Sequence, residues 1–273
     1  LDLKKKQKIE DILSPDKDYT DQNDTYCFLP GDRNPQNTAG KGLLGNIQET
    51  IKRNGALYYL LLNTFAPVIP GRKFMGHLKS LLNSYDRGAV ILNLGSGPHL
   101  IRGCDDVINV DLYAFDEVDI VSDASSLPIK DNCVDLILNI AMMEHAEAPG
   151  KIIGEMHRVL KKDGQFLCYM PFTAPFHAAP YDFHRWTIEG AKRDFSLFEY
   201  TEIGIGAGPT SGMLWTLQEW LAILFSLGSR TLHDMIFLAL MIVTAPVKLL
   251  DLLLVHFPNA EKIASGFFVC GKK

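Results

Sequence analysis

At 273 residues, the chain is long enough to bury one large α/β core with an appendage or two, and 47% hydrophobic with 22% charged residues suits a soluble globular protein. A net charge of −5 lacks the basic excess that a nucleic-acid binder carries, so neither DNA nor RNA is an expected partner. The five cysteines form no C-x-x-C pair, which points away from structural zinc and toward buried free thiols in a reducing compartment.

Residues 1–87 are expected to form a separate preface. Asp2 to Lys8 is a basic leader of the kind that ends in solvent, and 14–40, rich in Asp, Asn, Pro and Gly, reads as irregular structure. Three helical stretches follow between Leu43 and Leu82, including the very apolar run from Ala56 to Leu62. No amino-terminal apolar segment argues for secretion, so a cytoplasmic setting is expected.

From residue 88 the pattern changes. Val90-Ile-Leu-Asn-Leu-Gly-Ser-Gly97 is a continuous apolar run ending in a glycine pair, and Asp111 closes a second apolar run that begins at Val107. This reads as a buried parallel strand, a tight turn, a short crossover and a second strand tipped by a carboxylate. Such a unit holds a nucleotide-like ligand at the carboxyl ends of its strands, where Asp111 can accept ribose hydroxyls. The nicotinamide fingerprint is not met: its third glycine would fall on Leu100, and Asp111 arrives earlier than the roughly 20-residue spacing of that version. A third strand, from Val118, ends at Asp123, whose alternative role is a turn cap. A fourth runs to Asn139 and leads into Glu144-His145. The apolar residues Ile152, Ile153, Met156, Val159 and Leu160 recur at helical spacing before Lys161-Lys-Asp-Gly164, and Gln165 to Pro171 is a fifth strand.

Five motifs in this order resemble the class I S-adenosylmethionine-dependent methyltransferases of the broad type 11 group. The resemblance runs over 88–205, with a last strand at 265–273. It implies a seven-stranded Rossmann-like sheet flanked by helices, an N-terminal helical cap over 1–87, and S-adenosyl-L-methionine as cofactor. Carried over, Gly95, Ser96 and Gly97 line the methionine and ribose part, Asp111 and Leu112 meet the ribose, and Asp123, Ala124 and Leu127 meet the adenine. Asn139 sits beside the sulfonium. Asn93 stands where the family often has an acid.

The loop after the fifth strand brings His177, Tyr181, Asp182, His184, Arg185 and Trp186 to the pocket mouth. His177 or His184 can take a hydroxyl proton, with Asp182 orienting the imidazole and Arg185 binding an anionic group. Tyr181 and Trp186 are further acceptor contacts, and His145 is another base candidate. The alternative is that Asp182 and Arg185 pair to staple the loop. No metal is expected, since Asp135 and Glu144 are not spaced as an obvious divalent site. The loop, Gly208-Pro-Thr-Ser-Gly and the greasy tail resemble a bacterial subgroup associated with cell-surface saccharide assembly. That implies O-methylation of a saccharide or lipid-linked glycan; C-methylation of a quinone or lipid and a non-catalytic partner subunit are the alternatives.

Residues 206–264 separate the last two strands with an apolar helical insertion. Met235 to Val247 is an uncharged run of 13 residues, about 20 Å of helix against a hydrocarbon core of about 30 Å. Lys248 and Asp251 are expected to stop it, so it does not read as a transmembrane helix. Two readings stand: a lid packed on the core, or a peripheral membrane patch through 213–257. Oligomeric state does not follow from the sequence.

Overall fold

The computed structural model describes residues 3–22, 24–30, 61, 64–86, 88–98, 101, 106–178 and 180–273. The helices expected between 43 and 62, the crossover after Gly97 and Cys104 lie mostly or wholly outside these residues. Among the described residues, nine strands form one mixed sheet: β1 (Thr20–Gln22), β2 (Thr25–Cys27), β3 (Ile91–Leu94), β4 (Ile108–Asp111), β5 (Ile120–Val121), β6 (Val134–Ile140), β7 (Leu160–Pro171), β8 (Glu199–Ala207) and β9 (Gly266–Lys272). Their order across the sheet is β1-β2-β5-β4-β3-β6-β7-β9-β8. The run from β2 to β7 is parallel, and β9 enters antiparallel between β7 and β8.

Strand β3 is buried along its whole length, as its unbroken apolar run requires of a central parallel strand. Alternate residues of its neighbours face opposite layers. Leu136 and Leu138 meet Phe74 of α2 (Arg72–Ser84) and Phe268 on one face. Ile137, Phe166 and Cys168 meet Ile152, Ile153 and Met156 of α3 (Pro149–Val159) on the other.

Two expectations for the amino terminus are corrected. The basic leader is helix α1 (Leu3–Ile12), whose Ile9 and Ile12, three residues apart among lysines, belong to the main core. Lys5 pairs with the largely buried Asp119 at 2.7 Å. Part of the stretch expected to be irregular is the β1–β2 hairpin, where Tyr26 and Cys27 align with Ile120 and Val121 and carry the sheet two strands beyond the expected seven. Among the described residues of 1–87, α1, β1, β2 and α2 are built into the same sheet and core as the rest of the chain. Because Ile9 is fully buried, Ile9→Ala is expected to cost about 2–5 kcal/mol in urea unfolding. A neutral result would place α1 outside the core.

Between β8 and β9 lie α5 (Pro209–Phe225), α6 (Arg230–Thr244), a 3-10 stretch at Ala245–Leu250 and α7 (Asp251–Leu254); α4 (Ile188–Asp194) precedes β8. Lys248 and Asp251 do not stop the second arm. It runs as 25 helical residues from Arg230 to Leu254, long and apolar enough to cross a membrane by length and composition. It tightens to 3-10 geometry at Pro246, which lacks the amide an α-helix needs. The two charges are buried instead. Lys248 donates to the Ala66 carbonyl at 2.7 Å, and Asp251 accepts from the amides of Thr210 and Ser211. Each thus serves the fold through a distant partner.

Candidate functional site

The chain leaves β3 for β4 and β5 on one side and returns to β6 on the other, so the strand order reverses between β3 and β6. A crevice opens there beyond the carboxyl ends of the strands. Leu94 is in register with Val110 of β4 and Asn139 of β6, which sets Asn139 one residue short of the level of Gly95 and Asp111.

Gly95 and Gly97 have φ of 71° and 56°, in the left-handed region that a side chain resists. A Cβ on Gly95 would also lie 2.0 Å from Cγ of Met142. The turn is held by Asp111: one carboxylate oxygen accepts from the Gly97 amide at 2.8 Å and the other from the Tyr113 amide at 2.9 Å. Burial raises the Asp111 pKa despite these bonds. Each oxygen keeps a second lone pair for a ligand hydroxyl. Ser96 is buried within the turn and Leu112 is exposed beside Asp111. Near the end of β6, Asn139 is fully buried and its Oδ1 has no hydrogen-bond partner among the described residues, an acceptor that a bound group can satisfy. These features suit a nucleoside cofactor with polar hydrogens.

Other expected cofactor contacts sit differently. Leu127 lies in the core, its amide on Glu155 Oε2 at 2.7 Å, so its side chain is not free to cover an adenine ring. Asp123 is exposed and one oxygen caps its own turn through the Ser125 amide at 2.8 Å; Ala124 packs partly against the core. Asn93 bonds Asn109 at 3.1 Å instead of facing the crevice.

On the acceptor side, Glu144 is 0% exposed and neither carboxylate oxygen has a hydrogen-bond partner among the described residues. His177 Nε2 stands 3.6 Å from Glu144 Oε1, and His145 Nε2 stands 3.9 Å from it. Both rings are anchored at Nδ1, His177 by the Pro175 carbonyl at 2.8 Å and His145 by the Tyr181 carbonyl at 2.6 Å. A carbonyl partner assigns the proton to Nδ1 and turns the Nε2 lone pairs toward the carboxylate. Among the described residues, Glu144, His145 and His177 place three donor atoms within 4.8 Å of one another. The sequence reading missed Glu144. Its signal was a carboxylate beside His145 in the turn Met143–His145 that follows the apolar strand β6.

The remaining loop residues staple the structure. Arg185 binds Asp182 through two bonds, at 2.5 and 2.7 Å, and also donates to the carbonyls of Ala174, Pro175 and His184. It therefore has no free fork for an anionic acceptor, and that expectation is corrected. Asp182 accepts from the His177 backbone amide at 2.8 Å; it positions the residue but does not hydrogen-bond the ring, from which it stands 3.6 Å. The His184 ring meets the Glu147 carbonyl at 3.3 Å while its backbone amide donates to the Glu144 carbonyl, and Trp186 is buried with Nε1 on Asp194, so both side chains have partners other than the Glu144 carboxylate. Tyr181 remains exposed.

The Arg185 hydrogen bonds, with burial opposing, push the Asp182 carboxyl down to about 2 from its ordinary 3.8. A lowered carboxyl contributes stability above its unfolded value, and this is lost as pH falls through about 2. Asp182→Asn is expected to cost about 3 kcal/mol, because it strands the guanidinium. Thermal denaturation at neutral pH measures this, and an unchanged melting point would refute the staple.

Comparison with known proteins finds a family model that matches part of the chain. Residues 101–168 match the model of a methyltransferase domain. The matched segment is less than half of the chain. No curated protein matches the chain. Among solved structures, the [4+2]-cyclase SpnF is 16% identical, with 83% of this chain and 95% of that chain covered and a TM-score of 0.47. A phosphoethanolamine N-methyltransferase 2 from Haemonchus contortus, in complex with phosphomonomethylethanolamine and S-adenosylhomocysteine, is 16% identical, with 84% and 59% covered and a TM-score of 0.48. A methyltransferase-like protein from Bacillus halodurans C-125 is 19% identical, with 47% and 70% covered and a TM-score of 0.40.

Proposed function

We propose that the chain transfers a methyl group from S-adenosylmethionine to a hydroxyl, and that the acceptor is a saccharide or lipid-linked glycan. One observation carries this reading: just beyond Asn139, in the turn that follows the strand paired with β3 and its Gly95–Gly97 turn, a buried carboxylate faces an imidazole. The sulfonium of S-adenosylmethionine supplies an activated methyl, so the protein's task is alignment, exclusion of water and removal of one proton.

Gly95 and Gly97 let the backbone approach the cofactor, Asp111 receives the ribose hydroxyls, and the orphan Asn139 Oδ1 accepts a hydrogen bond at the end of β6. His177 takes the acceptor's proton on Nε2 while the new oxygen–carbon bond forms. Glu144 steadies the resulting imidazolium. A saccharide hydroxyl ionises far above neutral pH, which is why a positioned base is needed at all.

Transfer of tritium from methyl-labelled S-adenosylmethionine to a panel of saccharides and lipid-linked glycans tests the reading. Labelled product supports it, and cofactor binding without transfer to any acceptor favours a non-catalytic partner subunit. Glu144, His145 and His177 are also within reach of a shared cation, so turnover is measured with and without a chelator. Undiminished turnover supports the base, whereas loss restored by a divalent ion would replace it. Asp111→Ala is expected to weaken S-adenosylmethionine binding by about 1.5–3 kcal/mol, roughly 10- to 150-fold in Kd. Unchanged affinity would remove the ribose role.

A further inference from the structure

The insertion between β8 and β9 is patterned inside out. On α5, Met213, Leu217, Trp220 and Leu224 recur at helical spacing and are all exposed, whereas Gln218 is buried. On the second arm Met235, Ile242, Leu249 and Leu253 are exposed, whereas Lys248 and Asp251 are buried. The polar residues have partners inside: Gln218 donates to Thr244 Oγ1 at 2.6 Å, and Asp251 accepts from Ser211 Oγ at 2.6 Å. Only 17% of the most apolar stretch of the 25-residue arm is buried. A lid packed on the core would show the reverse arrangement, with polar residues outward. An apolar exterior around buried polar groups that bond one another is what a hydrocarbon solvent selects, although Gln218 Oε1 and Thr210 Oγ1 have no partner among the described residues.

Topology restricts how a bilayer can be met. Ala207 at the end of β8 pairs with Gly266 at the start of β9, so the insertion leaves and rejoins the sheet at adjacent points. A single crossing from Arg230 to Leu254 would strand β9 on the far side of the membrane. The far end of the hairpin carries exposed Leu227 beside the exposed Arg230, a charge that resists passage through the core.

We propose that α5 and the arm from Arg230 to Leu254 form a monotopic membrane-docking surface, lying in the headgroup and upper acyl region of a phospholipid bilayer with their apolar stripes turned inward. The occupant is lipid rather than a second copy of the chain. An apolar stripe on each arm over the full hairpin, ending in a cation, matches an acyl layer beneath phosphates. The inference stands independently of the methyl-transfer reading. Its bearing on the site is that the Trp215 ring of α5 packs at a tilt with its centroid 5.1 Å from that of His177, so the docked surface lies beside the proposed acceptor position.

The full chain is mixed with vesicles of phosphatidylethanolamine and phosphatidylglycerol and floated on a density gradient. Brominated phospholipids then report the depth of the tryptophans. The wild type is expected to float and to be quenched more strongly by shallow than by deep bromines, with Trp220→Phe removing most of the quenching. The triple variant Leu217→Gln, Trp220→Gln, Leu224→Gln changes only exposed positions. It should stay folded by circular dichroism and lose vesicle binding about tenfold or more. Failure of the folded wild type to float overturns the proposal. So does a vesicle-free dimer that the triple variant makes monomeric, or stronger quenching at depth, which would mean that the hairpin plunges.

Discussion

Replacing His177 with alanine is expected to lower kcat by about 10²- to 10⁴-fold while leaving S-adenosylmethionine affinity unchanged. Its Nδ1 is held by the Pro175 carbonyl and its Nε2 faces a buried carboxylate, so the ring is oriented before any substrate arrives. The 3.6 Å gap to Glu144 is too long for a hydrogen bond, and a hydroxyl seated against the pair can close it. Burial disfavours the imidazolium, but the Glu144 carboxylate, the Pro175 carbonyl and Asp182 more than offset it, and the His177 pKa lies above its ordinary 6.5. The base must be neutral to act. Turnover should therefore rise with pH through an inflection above 6.5 and fall below it. Glu144→Gln should move that inflection down and slow transfer, because it removes the charge that favours the protonated ring. His184→Ala should leave both rate and profile nearly intact. Tritium transfer across a pH series measures all three variants; full activity in His177→Ala, or an inflection that ignores Glu144, would contradict the assignment.

The second large effect is structural. Asp251→Ala is expected to destabilise the protein by about 3–5 kcal/mol, because it removes one buried acceptor from three donors at the start of α5. The carboxylate takes the Thr210 amide at 2.7 Å, the Ser211 amide at 2.8 Å and the Ser211 hydroxyl at 2.6 Å. A negative charge there also meets the positive end of the α5 dipole. Gly208→Ala attacks the same point from the other partner, since a Cβ would lie 2.3 Å from Asp251 Cγ. Urea unfolding of both variants is the check. If both unfold like the wild type, the hairpin is not anchored through Asp251.

What could be read in the sequence was what neighbouring residues specify. The apolar run into Gly95 and Gly97, the carboxylate ending β4 and Asn139 ending β6 come together as their strand-end positions imply, because register places strand ends side by side. Residues whose meaning depends on distant partners were misread. Lys248 looked like a helix stop, but its partner is the Ala66 carbonyl, 182 positions away. Ile9 and Ile12 were hidden among lysines that snorkel to solvent and to Asp119. Leu127 fitted an adenine contact by position, yet the sheet draws it into the core. Arg185 was offered to an anion, but Asp182 and three carbonyls consume its donors. Glu144 gained its significance only from His177, brought across from the loop after β7.

Calorimetric titration of the purified chain with S-adenosylmethionine, S-adenosylhomocysteine and NADH tests the central claim most directly. Micromolar binding of the first two with no heat from the third is the predicted result. A folded sample silent toward both sulfur compounds, or one that binds NADH instead, would contradict it.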